Sequence, residues 1–220
     1  EQAVRETVAR NNQQYGYIRL VFTRGKGTLG LNPFLCPTPT VFVIVEDIKL
    51  YDDEMYANGM SIITANRPRV PIQCLDPKIK SLNYLNNILA KIEAVDAGVL
   101  EALMLNTEGH VSECTGDNIF IIKDGNISTP PVDAGILHGI TRAFVIEEVA
   151  PSLGYTVDER TITLDEIKQA DEVFLTGTAA EVIGVNKIDE DVIGNGKVGD
   201  ITHNLVEAFR KLVSENAPED

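Results

Sequence analysis

The sequence predicts a mixed α and β protein organised around hairpins rather than a regular strand–helix–strand alternation. Short apolar runs suit strands, and pairs of them flank the turn dipeptides Glu108-Gly109 and Asp124-Gly125. Helical spacing, with apolar residues three or four apart, appears in separate stretches, and Gly98 and Gly154 stand where such stretches would be capped. No internal repeat is present.

In chain order, residues 1–14 have helical spacing (Val4, Val8) and end in the polar stretch Asn11 to Gln14. Tyr17 to Thr23 and Val41 to Val45 read as strands. Between them Gly25, Gly27, Gly30, Pro33, Pro37 and Pro39 mark a loop, because glycine and proline resist the interiors of helix and sheet. The charged stretch Glu46 to Glu54 is the best domain boundary. Met60 to Ala65 is a strand entering a second loop with Pro68, Pro71 and Pro77. After Lys80, the spacing of Leu82, Leu85, Leu89 and Ile92 predicts an apolar helix. Leu100 to Leu105 and Val111 to Ser112 form one hairpin, and Asn118 to Ile122 with the residues after Asp124-Gly125 a second. Ile140 to Leu153 is a helix and Tyr155 to Ile162 a strand. Thr163-Leu164-Asp165-Glu166 fits a capping box opening a short helix. Val173 to Leu175 is a short buried strand running into Thr176-Gly177-Thr178, Ile201 to Val213 is the last helix, and Ser214 to Asp220 is a frayed acidic tail.

With 220 residues, 44% of them hydrophobic, the chain can build one large domain or two small ones. No apolar run approaches the roughly 20 residues of a membrane helix. The net charge of −14, with Lys and Arg nowhere concentrated, argues against nucleic acid or an anionic membrane as a partner. Cys36, Cys74 and Cys114 have no CxxC pairing or metal-ligand spacing, and their odd number suits a reducing cytoplasm. The start, Glu1-Gln2-Ala3-Val4-Arg5, reads as the middle of a helix, so the natural beginning is expected to lie upstream. Without a secretion signal, the sequon Asn126-Ile127-Ser128 is a chance match.

Two glycine motifs do not survive inspection. Gly25 to Gly30 matches GxGxxG, but Asn32-Pro33 and further prolines follow where a helix should begin and hold a pyrophosphate. Gly194 to Gly199 matches as well, yet too little chain remains for the next strand and the ribose-binding acid.

Four other segments carry chemistry. They are Ile79-Lys80-Ser81-Leu82-Asn83-Tyr84-Leu85, then Val111 to Phe120 (VSECTGDNIF), then Leu137-His138-Gly139-Ile140-Thr141-Arg142, then Phe174 to Glu181 (FLTGTAAE). In composition, order and approximate spacing they resemble the motifs of fold-type IV pyridoxal-phosphate-dependent aminotransferases, across essentially the whole chain. The resemblance implies a two-domain α/β fold: the C-terminal part of a small α/β domain over 1–46, a linker over 47–53, and a large pseudo-barrel cofactor domain over 54–220.

The resemblance also implies roles. Lys80 would carry pyridoxal 5'-phosphate and shuttle the proton at the substrate Cα. Glu113 would face the pyridine nitrogen, where a buried carboxylate is compensated by the ring's positive charge. Tyr84, read as four residues further along the same helical face, would bond the phenolic oxygen. Asn118, Leu137, Gly139, Ile140 and Thr141, with Gly177 and Thr178, would complete the cofactor site. The last five of these supply backbone N–H groups and hydroxyls for the phosphate.

On the substrate side, Tyr17 and Arg19 point to one face of a strand. They resemble the Tyr-x-Arg pair that helps hold the substrate carboxylate in branched-chain aminotransferases, a site that Thr178 and Ala179 complete. Gly27 to Phe34 holds neither arginine nor histidine, unlike the Arg-x-His trap of the D-amino-acid branch. The expectation is transamination of L-leucine, L-isoleucine or L-valine with 2-oxoglutarate by a homodimer or higher homo-oligomer. D-amino-acid or R-amine transamination, aminodeoxychorismate lyase chemistry, and a truncated chain that binds cofactor without turnover are the alternatives. An arginine that grips the phosphate in the family's N-terminal segment has no counterpart here.

Overall fold

A computed structural model describes residues 1–12, 16–48 and 50–216. The chain forms two compact units, Glu1–Leu50 and Tyr51–Asp220, divided inside the charged segment 47–53. Among the described residues, no helix is long and apolar enough to cross a membrane.

In the first unit, helix α1 (Gln2–Asn11) precedes a hairpin of β1 (Tyr17–Thr23) and β2 (Thr40–Glu46), which pair antiparallel from Tyr17 opposite Glu46 to Thr23 opposite Thr40. Of the polar stretch expected after α1, Gln13 and Gln14 lie outside the described residues. The loop between the strands is irregular apart from one 3-10 turn, Pro33–Leu35, where the Asn32 side chain accepts from the Phe34 N–H. No helix follows the first glycine motif.

The second unit opens with α2 (Asp53–Asn58), a helix the sequence reading missed by treating Glu46 to Glu54 as a boundary. Strand β3 (Met60–Thr64) leads through the proline loop to α3 (Leu85–Asp96). Hairpin β4 (Ala102–Leu105) and β5 (Val111–Cys114) follows, then hairpin β6 (Asn118–Lys123) and β7 (Asn126–Thr129). Next come α4 (Ile140–Phe144), a π turn over Val145–Val149, and α5 (Ala150–Ser152). The chain continues through β8 (Val157–Glu159), α6 (Leu164–Lys168), β9 (Glu172–Gly177), β10 (Glu181–Ile188), β11 (Asp191–Val192) and α7 (Asp200–Glu215).

The strands form one mixed sheet in the order β5-β4-β3-β10-β9-β6-β7-β8, with β11 beside β10. Its two ends are drawn together, because Val111 N–H donates to Ile162 O at 2.9 Å and His110 bridges Thr163. That near-closure gives the barrel-like form expected of the cofactor domain. Both faces are covered. Ile119, Ile121, Val173, Leu175, Ile183 and Val185 fill one core. Phe120, Ile122, Phe174 and Val182 face the other, against Val145, Val149, Leu205 and Phe209 of the helical layer. Phe120 and Phe174 stack at 4.7 Å between ring centroids. Burying each such ring contributes about 1.5–3 kcal/mol. Double burial explains why β6 and β9 read as continuous apolar runs.

Three expectations need correction. The helix after Lys80 begins only at Leu85, since Ser81 to Tyr84 are held in local turns by Ser81 N–H to Ile79 O and Tyr84 N–H to Leu82 O. Its buried face is Ala90 and Ala94, whose small side chains let it lie close to the sheet, while Leu82, Leu85 and Ile92 are about half exposed or more. The strand expected over Tyr155 to Ile162 shrinks to Val157–Glu159. The acidic tail is partly helical, because α7 runs through Glu215; residues 217–220 lie outside the described set. The capping box at Thr163 and Glu166 is present in both directions.

Candidate active site

The site is assembled from the ends of strands in the second unit. A small cavity of about 60 Å³ is lined by Arg69, Lys80, Tyr84, Asn87, Glu113 and Leu137, among others. Lys80 ends the proline loop, and its Nζ lies 3.5 Å from the Tyr84 hydroxyl. The two share no helical face, since Tyr84 is the cap residue before α3; the turn between them makes the approach.

Glu113 enters from β5 and is 5% exposed. Arg69 Nη2 donates to its Oε1 at 2.5 Å, while Asn118 Nδ2 and Leu137 N–H donate to its Oε2, both at 3.0 Å. An ionised carboxylate offers about four acceptor positions, so one more donor can be taken from the cavity. Burial pushes the Glu113 carboxyl up from 4.5 to about 7, even though Arg69, the Leu137 N–H and Lys80 all pull it down. Such a group gains from a further cationic donor.

Asp117 and Asn118, where β6 begins, brace two glycine loops. A Cβ on Gly139 would come within 2.1 Å of Asn118 Oδ1, and one on Gly177 within 2.1 Å of Asp117 Oδ1. Only glycine lets each backbone approach so closely. Asn118 also donates to Leu137 O at 3.0 Å and pairs with Thr176 across the sheet. The start of α4 and the end of β9 are therefore fixed to neighbouring residues. Gly139, Ile140, Thr141, Gly177, Thr178 and Ala179 do not line the cavity wall itself. Ile140 is 84% exposed and Thr178 is exposed, so the edge formed by these loops is open. Tyr17 and Arg19 belong to the first unit, Tyr17 half-buried and Arg19 exposed on β1.

The family model described as amino-transferase class IV matches residues 1–188. The chain belongs to the class IV aminotransferases. A putative branched-chain-amino-acid aminotransferase of Methanocaldococcus jannaschii is 49% identical over 209 residues, 95% of this chain and 71% of the relative. A D-alanine aminotransferase of Bacillus licheniformis is 37% identical over 215 residues, 97% of this chain and 74% of that one. Among solved structures, the branched-chain amino acid aminotransferase from Thermobaculum terrenum in its PLP-form superposes with a TM-score of 0.85 at 32% identity, covering 97% of this chain and 69% of the other.

Pyridoxal 5'-phosphate is the cofactor of class IV aminotransferases, and the residues present fit it. An amine and a buried carboxylate with spare acceptor capacity line one cavity, together with Leu137, whose carbonyl Asn118 holds at the entry to one glycine loop. Sequence reasoning missed Arg69, Asn87 and Glu101. Arg69 and Glu113 are 44 positions apart, and no local pattern links them.

Asp117 gives this aminotransferase a pH dependence. Burial, then Glu101, raise its carboxyl from 3.8 to about 7, although a 2.9 Å hydrogen bond from the Tyr51 hydroxyl pulls it down. A folded value above the unfolded one means that the stabilising contribution is full below about pH 4 and is lost as pH rises through about 7. Asp117→Asn is therefore expected to stabilise the cofactor-free protein at pH 8 by on the order of 1–3 kcal/mol, and to change little at pH 4. Urea denaturation at the two pH values checks this; an equal effect at both would contradict it.

Proposed function

We propose that the enzyme transfers the α-amino group of L-leucine, L-isoleucine or L-valine to 2-oxoglutarate in two half-reactions. One observation carries the catalytic part: Lys80 and Glu113 face the same cavity, Lys80 close enough to lower the Glu113 carboxyl. Pyridoxal phosphate, when bound, supplies the electron sink. Lys80 would hold the cofactor, and its Nζ would take the proton from the substrate Cα and deliver it to the cofactor side rather than back to Cα. Glu113 would present its remaining lone pair to the pyridine nitrogen, and Arg69 draws it toward its charged form against the effect of burial. Tyr84, whose hydroxyl accepts from Lys80 Nζ at 3.5 Å, would bond the phenolic oxygen of the cofactor. Asn118 and Leu137 orient Glu113, and Gly139, Ile140, Thr141, Gly177 and Thr178 offer N–H groups and hydroxyls to an anion.

The substrate side rests on different support. The archaeal relative named for branched-chain substrates shares 49% identity, against 37–39% for the D-alanine aminotransferases. Residues 27–34 contain neither arginine nor histidine. In this reading backbone N–H groups at Thr178 and Ala179 help to hold the substrate carboxylate region. The enzyme is a cytoplasmic homodimer or larger homo-oligomer; Leu85, Ile88, Ile92 and Val95 lie on one face of α3, each 49–62% exposed, an apolar ridge suited to a second copy.

Coupled assays with 2-oxoglutarate and L-leucine, D-alanine, an R-amine and aminodeoxychorismate test the assignment. L-leucine is expected to exceed every other compound in kcat/KM by at least about tenfold. Preference for D-alanine or the R-amine would overturn the substrate reading, and lyase activity or cofactor binding without turnover would overturn transamination.

A further inference from the structure

Three residues outside the motifs, Arg69, Asn87 and Glu101, lead back to Glu113. Glu101, with 1% of its side chain exposed, accepts at Oε1 from the Thr115 N–H (3.0 Å) and hydroxyl, and at Oε2 from the Gly116 N–H (3.2 Å). It thereby fixes the turn directly after Glu113. Lys91 Nζ stands 3.8 Å from Glu101 Oε2. The Thr115 carbonyl accepts from Asn87 Nδ2 at 2.8 Å, and Asn87 Oδ1 accepts from Arg69 Nη1 at 2.6 Å. Arg69 then meets Glu113 through Nη2, with its Nε donating to Gly135 O at 3.2 Å. Asn87 and Lys91 are four residues apart on the inner face of α3, so the helix touches both ends of this ring of bonds.

We propose that Asn87 and Glu101 are positioning residues that hold the Arg69 guanidinium against Glu113 and so keep that carboxylate ionised where it meets the pyridine nitrogen. The inference rests on the proposed role of Glu113. A guanidinium can turn about its long stem, and its pull on a carboxylate weakens with distance. Asn87 occupies one nitrogen and Glu113 another, so the fork cannot rotate without breaking a buried bond. Glu101 fixes the carbonyl that holds Asn87. The charged groups facing Glu113 are Arg69 and Lys80, with Asp117 near enough to interact and Glu101 behind it. Arg69 is the stronger of the two cations, and its placement therefore governs the balance.

The test uses pyridoxal phosphate labelled with 15N in the ring, bound to the wild type and to the Glu113→Gln, Asn87→Ala and Glu101→Gln variants. The nitrogen shift is followed by NMR from about pH 6 to 9. The wild-type nitrogen is expected to stay protonated, and Asn87→Ala to lose the proton at least about one pH unit earlier. Glu101→Gln should move the same way by less, with kcat reduced and KM within about twofold in both. A wild-type-like titration in Asn87→Ala overturns the proposal, provided that Glu113→Gln is altered. If Glu113→Gln is also unaltered, the role of Glu113 falls and the proposal with it. Should Asn87→Ala fail to fold, the Glu101→Gln titration decides in the same sense.

Discussion

Lys80→Ala is expected to lower kcat/KM for transamination by at least about 10⁴-fold, the upper range for one positioned proton carrier. Its amine is the only lysine nitrogen among the residues lining the cavity. Tyr84, 3.5 Å away, has a hydroxyl but no amine to bond the cofactor. Lys80 is exposed and ends a loop, so alanine there removes chemistry and little packing. The melting temperature of the cofactor-free variant should stay within a few degrees of wild type. Borohydride reduction followed by peptide mass mapping supplies the check: the wild type should carry the label on Lys80, and the variant nowhere. A label on another lysine, or activity within about a hundredfold of wild type, would remove Lys80 from this role.

Glu113→Gln is expected to lower kcat by about 10²–10³-fold, the usual cost of deleting one preorganised electrostatic partner of developing charge. An amide retains the shape but cannot neutralise a ring cation. It also leaves Arg69, itself 7% exposed, without its charge partner. Breaking a buried pair from one side costs about 3–5 kcal/mol, so the variant should also melt earlier. The two effects separate, because Arg69→Met with Glu113→Gln would recover stability but not rate. Steady-state kinetics and thermal melts on the single and double variants decide this. A kcat for Glu113→Gln within about tenfold of wild type would show that the ring nitrogen needs no carboxylate here.

Local chemistry made some elements legible and left others hidden. Thr163 and Glu166 announce a helix start because both halves of the capping box lie within four residues. The β6–β7 hairpin shows because a turn dipeptide, Asp124-Gly125, separates two apolar runs. By contrast β10, central in the sheet between β3 and β9, escaped notice. Its sequence, EVIGVNKI, is broken by Gly184 and Asn186, and its strand character comes from neighbours on both sides. The start and the packed face of α3 were hidden for a related reason. Leucine spacing announced a helix but placed its start too early, and the face that packs on the sheet is set by Ala90 and Ala94.

The site divides in the same way. Lys80 and Glu113 stand in segments whose resemblance to a known family picks them out, and the fold brings them to one cavity. Arg69 and Asn87 act on Glu113 across 44 and 26 positions of chain, through bonds that exist only once the proline loop, α3 and β5 have met.

The central claim is that one ring is held between the amine of residue 80 and the carboxylate of residue 113. A crystal structure of the protein with pyridoxal phosphate bound tests it most directly. The account predicts continuous density from Lys80 Nζ to the cofactor, with the ring nitrogen within hydrogen-bond distance of a Glu113 oxygen. A cofactor whose ring nitrogen points away from Glu113, or that is joined to a different lysine, would contradict it.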